Sequence, residues 1–209
     1  PEFYSLFFLE KRDYKTLADA TKDLNLDVNI CAFSPNQTAS KKTFPKIMPK
    51  NMYCGFYEWE DLVQLYCDAD LVVLPLLDNN YQAGLSTLFE AMACKRPVII
   101  TRSPKAGIIN QLIDSGIVTG VKTGDSVELK QAIQNLLNDP EQAKKQAQLG
   151  YDFVCKYYNH GQYIQDLTTK LISTFGNIDN HQFLTIESIQ NNIQNLKKVS
   201  FKQSVLDSQ

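Results

Sequence analysis

No apolar run in the sequence approaches the ~20 residues that a membrane-spanning helix needs, and no signal-peptide pattern opens it. The chain is therefore expected to be soluble. No two cysteines stand at C-x-x-C spacing, which argues against zinc and disulfide frameworks. The five that occur, Cys31, Cys54, Cys67, Cys94 and Cys155, lie mostly in apolar segments and read as reduced cysteines of a cytoplasmic core. Strong charge of either sign is missing too. A net charge of -2 and a pI near 5.7 give no general attraction to nucleic acid or to anionic membrane. Histidine is scarce: His160 and His181 occupy polar, helix-flanking positions with no acid or nucleophile at a suggestive spacing, and read as surface residues. What is present is apolar material. A hydrophobic fraction of 44% and an aromatic fraction of 11% in 209 residues are enough for one sizeable core.

Periodicity orders that material. Ser5 to Leu9 is a short apolar run, and Tyr14 to Leu24 sets Leu17, Ala20 and Leu24 at helical spacing. Leu26 to Phe33 alternates like a strand, 34–51 is a polar, proline-bearing loop, and Met52 to Phe56 is extended. Trp59 to Ala69 reads as a helix with Leu62, Leu65 and Tyr66 on one side and Trp59 as its apolar anchor; "DLVVLPL" from Asp70 to Leu76 follows as a buried strand. The pattern continues with a helix after Gly84, a strand Pro97 to Thr101, a helix near Ile108 to Asp114 and a strand Ile117 to Val121. Asp125 with Glu128 predicts a capping box for a helix through Leu137, and Asp139, Pro140 and Glu141 start another that runs towards Tyr158. Uninterrupted apolar strands alternating with helices predict an α/β fold, a doubly wound parallel sheet over residues 1–175. Pro1, Glu2 and Phe3 are read as a cloning remnant, and the abrupt start as that of an excised piece. Residues 176–209 form a tail in which Ile186, Ile189, Ile193 and Leu196 mark one face of a helix. That helix either packs on the domain or is a docking surface for an absent domain or for another subunit, the latter giving self-association.

The stretch "NNYQAGLSTLFEAMACKRPVII" from Asn79 carries the chemistry. In a doubly wound sheet, ligands sit beyond the carboxyl ends of the strands, where helix N-termini point N–H groups outwards. Gly84 has no Cβ to keep a ligand away, so the amides of Ala83, Gly84, Leu85 and Ser86 could cradle a phosphate, the helix dipole adding ~0.3–1 kcal/mol per contact. A plain strand-to-helix connection would read the same way. Glu90 lies at the edge of the apolar face formed by Leu85, Leu88, Phe89 and Met92, either as a solvated acid or as a ligand group. Gln82 precedes Glu90 by about 12 Å of helix rise, which suits a nucleotide-sugar: hexose near Gln82, diphosphate on the amides, ribose hydroxyls on the Glu90 carboxylate.

The run "ADLVVLPLLDNNYQAGLSTLFEAMACKRPVIIT", with the later "LLNDPE", resembles the carboxyl-terminal half of retaining, two-Rossmann-domain (GT-B) glycosyltransferases of the glycogen-synthase-like, group 1 superfamily. The resemblance spans about Ser5 to Ile172. It implies a donor-binding domain for a nucleoside-diphosphate sugar such as a UDP-sugar, with transfer of a hexosyl group at retained configuration. Glu90 matches the second of the family's two glutamates, the one used on the donor ribose. The first falls on Gln82, so an amide stands where the family contacts the sugar; anchoring on Gly84 instead would put Tyr81 there. Arg12 takes the place of the lysine that neutralises the leaving diphosphate, with Lys11 beside it, while the family's upstream arginine falls on Phe7. A solvated Lys–Arg pair before a helix is the plainer reading of those two cations. "GFYEWEDL" resembles a segment that edges the nucleobase, which singles out Tyr57. The "RSPKAG" loop and Asn110, which stands where an acid is common, receive no role. The resemblance further implies no metal or other cofactor, an amino-terminal Rossmann domain that holds the acceptor and brings the enzyme to membranes if anything does, and little transfer by this piece alone. Loss of the first glutamate leaves a second reading, a GT-B-derived binding or assembly module without catalysis.

Overall fold

The computed structural model describes residues 12–31, 33–34, 37–38, 43–78, 83–104 and 107–175. The strand expected at Ser5 to Leu9 and the tail helix with Ile186, Ile189, Ile193 and Leu196 lie outside the described residues, as do Lys11, Tyr81 and Gln82. The elements follow in the order α1 (Tyr14–Thr21), β1 (Val28–Cys31), β2 (Phe33–Ser34), β3 (Gln37–Thr38), β4 (Met52–Gly55), α2 (Trp59–Asp68) and β5 (Val72–Leu74). After them come α3 (Leu85–Ala93), β6 (Val98–Thr101), α4 (Gly107–Asp114), β7 (Thr119–Val121), α5 (Ser126–Asn138), α6 (Pro140–Tyr157) and α7 (His160–Phe175).

β1 and β4 pair in parallel, with Val28 opposite Met52, and β5, β6 and β7 form a second parallel set in which Val72 faces Val98 and Ile99 faces Thr119. Every residue of β5 and β6 is buried, as the unbroken apolar runs require of strands covered on both faces. Each such Val, Ile or Leu contributes roughly 1.5–3 kcal/mol by leaving water. The covering comes from helices: α1 packs against α5, and α3 against α6. Parallel strands flanked by helices make this a Rossmann-like α/β fold.

Local chemistry starts the helices where the sequence says it should. Asp13, Asp125 and Asp139 each accept a backbone N–H three residues on, from Thr16, Glu128 and Gln142. The capping box at Asp125 is half-formed, however. The turn at Gly124 (φ 73°) has already given the Asp125 amide to the Lys122 carbonyl, so the Glu128 carboxylate accepts from the Lys122 amide instead, at 2.8 Å. Asn51 ties α1 to the sheet, its Nδ2 donating to the carbonyls of Thr21 and Leu26 at 3.0 Å each.

Three expectations are corrected. The strand read from Leu26 to Phe33 covers only Val28–Cys31, and Phe33–Ser34 forms an antiparallel pair with Gln37–Thr38, which lies inside the stretch read as loop. Alternation along a chain says nothing of where its pairing partner stops. Trp59 does not anchor α2: it is 60% exposed, and Leu62 and Tyr66 seat the helix. Cys31 is buried and Cys94 half-buried, but Cys54, Cys67 and Cys155 are exposed, on the outer faces of β4, α2 and α6; none of the five is in a disulfide.

Contacts divide the chain between Asn159 and His160. The composition changes later, after Phe175. The helix α7 that opens the second unit carries Ile164, Leu167, Leu171 and Ile172 at helical spacing, each at least 41% exposed. No helix among the described residues is long and apolar enough to cross a membrane.

Candidate functional site

The carboxyl ends of β5 and β6 meet the start of α1 at one place. The amide of Asp13 donates to the Pro75 carbonyl at 2.7 Å, Arg12 forms an antiparallel bridge with Leu76, and the amide of Leu76 donates to Thr101 Oγ1 at 2.9 Å. This lacing fixes Arg12 at the end of β5, where the chain leads on to α3. Arg12 is not the solvated cation of a surface Lys–Arg pair. It is 2% exposed, and its Nη2 donates to Thr87 Oγ1, in the first turn of α3, at 3.4 Å.

The mouth of α3 differs from those of α1, α2, α5 and α6. Asp caps α1, α5 and α6, and Glu60 and Asp61 stand in the first turn of α2. In contrast, α3 begins on Gly84 in the left-handed region (φ 84°), with no side-chain cap and no acid in its first turn. A Cβ on Gly84 would come within 3.2 Å of Arg12 Nη1, so the guanidinium lies directly against the cap. The positive end of the helix and a buried cation thus share one spot, an arrangement that favours an anion electrostatically. Ala83 is buried, Gly84 and Leu85 half-buried, and Ser86 exposed.

Glu90 is half-buried, one helical turn beyond Ser86 on α3. Its Oε2 accepts a hydrogen bond from Tyr66 Oη of α2 at 2.9 Å. Burial pushes the Glu90 carboxyl above the usual carboxylate range, and the bond from Tyr66 opposes that shift. Burial, and after it the charge of Glu90, hold the Tyr66 phenol protonated well beyond its ordinary range. Arg12 acts on the same phenol in the opposite sense, which puts it in the same electrostatic neighbourhood.

Tyr57 lies at the carboxyl end of the β1–β4 pair, its ring 3.4 Å from where a Cβ on Gly55 would be, and burial raises its pKa. The structure thus brings together Arg12, Gly84 and the first turn of α3, with Glu90 farther along the helix, while Tyr57 stands at the neighbouring strand pair. Sequence reasoning missed Thr87 and Tyr66. Thr87 gives no sign of its role in the sequence. Tyr66 does: a phenol on an apolar helix face needs a partner for its hydroxyl. Asn110 belongs to another network, donating to the Ser103 carbonyl at 2.7 Å.

The opposite end of the strands offers a groove of about 580 Å3, with Asp70, Arg96, Pro97, Pro140 and Lys144 in its lining. Of its three cations, Arg96 donates to the carbonyls of Ala69 and Cys94, Lys95 lies over the Tyr151 ring, and Lys144 pairs with Glu141 at the surface. It lies at the amino ends of the strands, away from the α3 mouth.

The sequence profile of the family described as "Glycosyl transferases group 1" matches residues 8–139, more than half of the chain. Among solved structures the chain is similar to a sucrose-phosphate synthase from Thermosynechococcus elongatus, with a TM-score of 0.64 and 19% identity over 82% of this chain and 46% of that one. It is similar to the C-terminal domain of a glycosyl transferase group 1 family protein (LpcC) from Francisella tularensis, with a TM-score of 0.59 and 22% identity over 76% of this chain and 87% of that one. It also resembles Anabaena HepE in complex with UDP-glucose, with a TM-score of 0.66 and 17% identity over 82% of this chain and 49% of that one. Identities this low speak to the fold. The chain spans about half the length of the synthase and of the Anabaena protein. A search of curated proteins returned no significant match.

Proposed function

Because the chain belongs to the glycosyl transferases of group 1, we propose that it is the donor-binding half of a retaining enzyme that transfers a hexosyl group from a nucleoside-diphosphate sugar. The observation that carries this reading is the buried Arg12 guanidinium set against the uncapped, glycine-started N-terminus of α3. In the proposal the diphosphate lies on the amides of Ala83, Gly84, Leu85 and Ser86, and Arg12 forks across its oxygens, aided by Lys11. Glu90 accepts from the ribose hydroxyls, Gln82 faces the sugar and Tyr57 edges the base. Negative charge that develops on the leaving diphosphate then meets a preorganised cation and helix dipole, with no metal and no side-chain nucleophile. The acceptor enters from a second Rossmann domain, so this chain alone binds nucleotide and does not transfer sugar. HepE, of the same fold, was solved with UDP, and with UDP-glucose, which supports a uridine nucleotide as the first ligand to try.

Calorimetric titration of the chain with UDP, GDP and ADP tests the proposal. Saturable binding of one of them is expected, weakened about tenfold or more in Arg12→Ala and in Glu90→Ala, as the loss of charge-assisted hydrogen bonds implies. Unchanged affinity in both variants would sink it. The amide at Gln82, where relatives of this type carry an acid, favours a second reading in which the domain binds or assembles without catalysis. Binding of nucleotide with no transfer by the full-length protein, restored by Gln82→Glu, would support that reading.

A further inference from the structure

Tyr66 is 1% exposed on the inner side of α2, and its hydroxyl reaches across to α3, donating from Oη to Glu90 Oε2 at 2.9 Å. Leucine or phenylalanine would fill an apolar helix face equally well, and a buried hydroxyl is costly unless it has a partner. Its partner is the carboxylate assigned above to the ribose. A glutamate side chain has three rotatable bonds, and a half-buried one without an anchor spreads over several rotamers. The bond from α2 holds one carboxylate oxygen and leaves Oε1 for a ligand. Because the phenol stays protonated, it donates throughout the range in which a nucleotide would bind.

We infer that Tyr66 is a positioning residue: through Oη it fixes the Glu90 carboxylate against the ribose diol and so sets the preference for ribo- over 2'-deoxyribonucleotides. The inference rests on the donor-site reading, from which it takes the role of Glu90. It brings into the site α2, an element with no other part in it. Among the described residues, the charged and titratable groups near Glu90 are Tyr66 itself, Cys94 one turn on, Cys67 of α2 and Arg96 beside Cys94, Arg12, which acts on the phenol, and Tyr158 at the end of α6, whose ring lies against Phe89. Removing the Tyr66 hydroxyl removes the influence that opposes burial on Glu90.

The test uses the full chain and whichever of UDP, GDP and ADP it binds, together with the 2'-deoxy form of that nucleotide. Wild type, Tyr66→Phe, Glu90→Gln and the double variant are titrated by calorimetry across pH, with melting temperatures as a check on folding. Tyr66→Phe keeps the ring and its packing. It is expected to lose about fivefold or more of the ribo preference while affinity for the 2'-deoxy form changes by less than about twofold. Adding it to Glu90→Gln should change nothing further, as for two residues acting as one unit. The pH at which binding is lost on acidification should move upward in Tyr66→Phe. Overturning results are an unaltered ribo preference, an equal loss for both nucleotides as a packing defect would give, or an effect that persists on the Glu90→Gln background. Failure of the donor-site reading looks different: wild type binds none of the three nucleotides, or Glu90→Gln keeps the full ribo preference, and the inference then falls with it.

Discussion

A φ of 84° at Gly84 places the start of α3 in a conformation that costs an L-residue roughly 1–2 kcal/mol, and the missing side chain leaves the space that Arg12 Nη1 occupies. Gly84→Ala should therefore cost stability and displace the guanidinium together. Its expected signature is a lower melting temperature with nucleotide affinity reduced at least as far as in Arg12→Ala; an alanine variant that binds like wild type would show the glycine to be incidental. Glu90 carries a second prediction. Its folded pKa lies above its unfolded one because burial outweighs the bond from Tyr66, so the fold favours the protonated form. That contribution is complete below the unfolded carboxylate pKa and fades as pH rises through the folded value. Melting temperatures of Glu90→Gln, relative to wild type, should accordingly improve as pH is raised from acid to neutral, and a difference that does not move with pH would reject the sign. Arg12 and Glu90 were both singled out in the sequence, Arg12 by the family resemblance and Glu90 by its place on the helix that follows Gly84. Their partners were not. Thr87 stands 75 residues from Arg12, and Tyr66 stands 24 from Glu90, so only the folded chain makes either pair.

Helix starts and strand pairing differ in how far apart the interacting residues are. Asp125 and Asp139 could be read as helix starts because cap and amide are three residues apart, whereas the equivalent cap at Asp13 was seen only in the structure. The β2–β3 pair escaped notice because each strand has only two residues, too few to show a period. Packing between elements sets a further requirement at Gly120 of β7. A Cβ there would meet Ile113 Cγ2 of α4 at 2.5 Å, and a β-branched side chain has little freedom to turn away. Gly120→Ala is expected to destabilise by about 1–3 kcal/mol in urea unfolding, as overpacking does. Combined with Ile113→Ala the two losses should be less than additive, since the second change removes the atoms that clash. Full additivity would place the cost elsewhere.

At the scale of the molecule, one compact unit ends at Asn159, and α7 belongs to the next. The apolar positions Ile186, Ile189, Ile193 and Leu196 follow in the tail. If they serve self-association, sedimentation velocity should find the full chain in a larger assembly and a chain ending at Phe175 as a monomer; equal sedimentation behaviour, corrected for mass, would remove that role. The alternation of buried strands and helices, the Asp-started helices and the family all follow from order and spacing along the chain, because the forces behind them act between residues a few positions apart. Whether Arg12 is solvated or buried, whether Glu90 is loose or held, and which cysteines face solvent were decided by the tertiary structure. Each depends on surfaces contributed by distant segments, and burial is a property of what comes to lie on a residue, which no stretch of sequence around it contains.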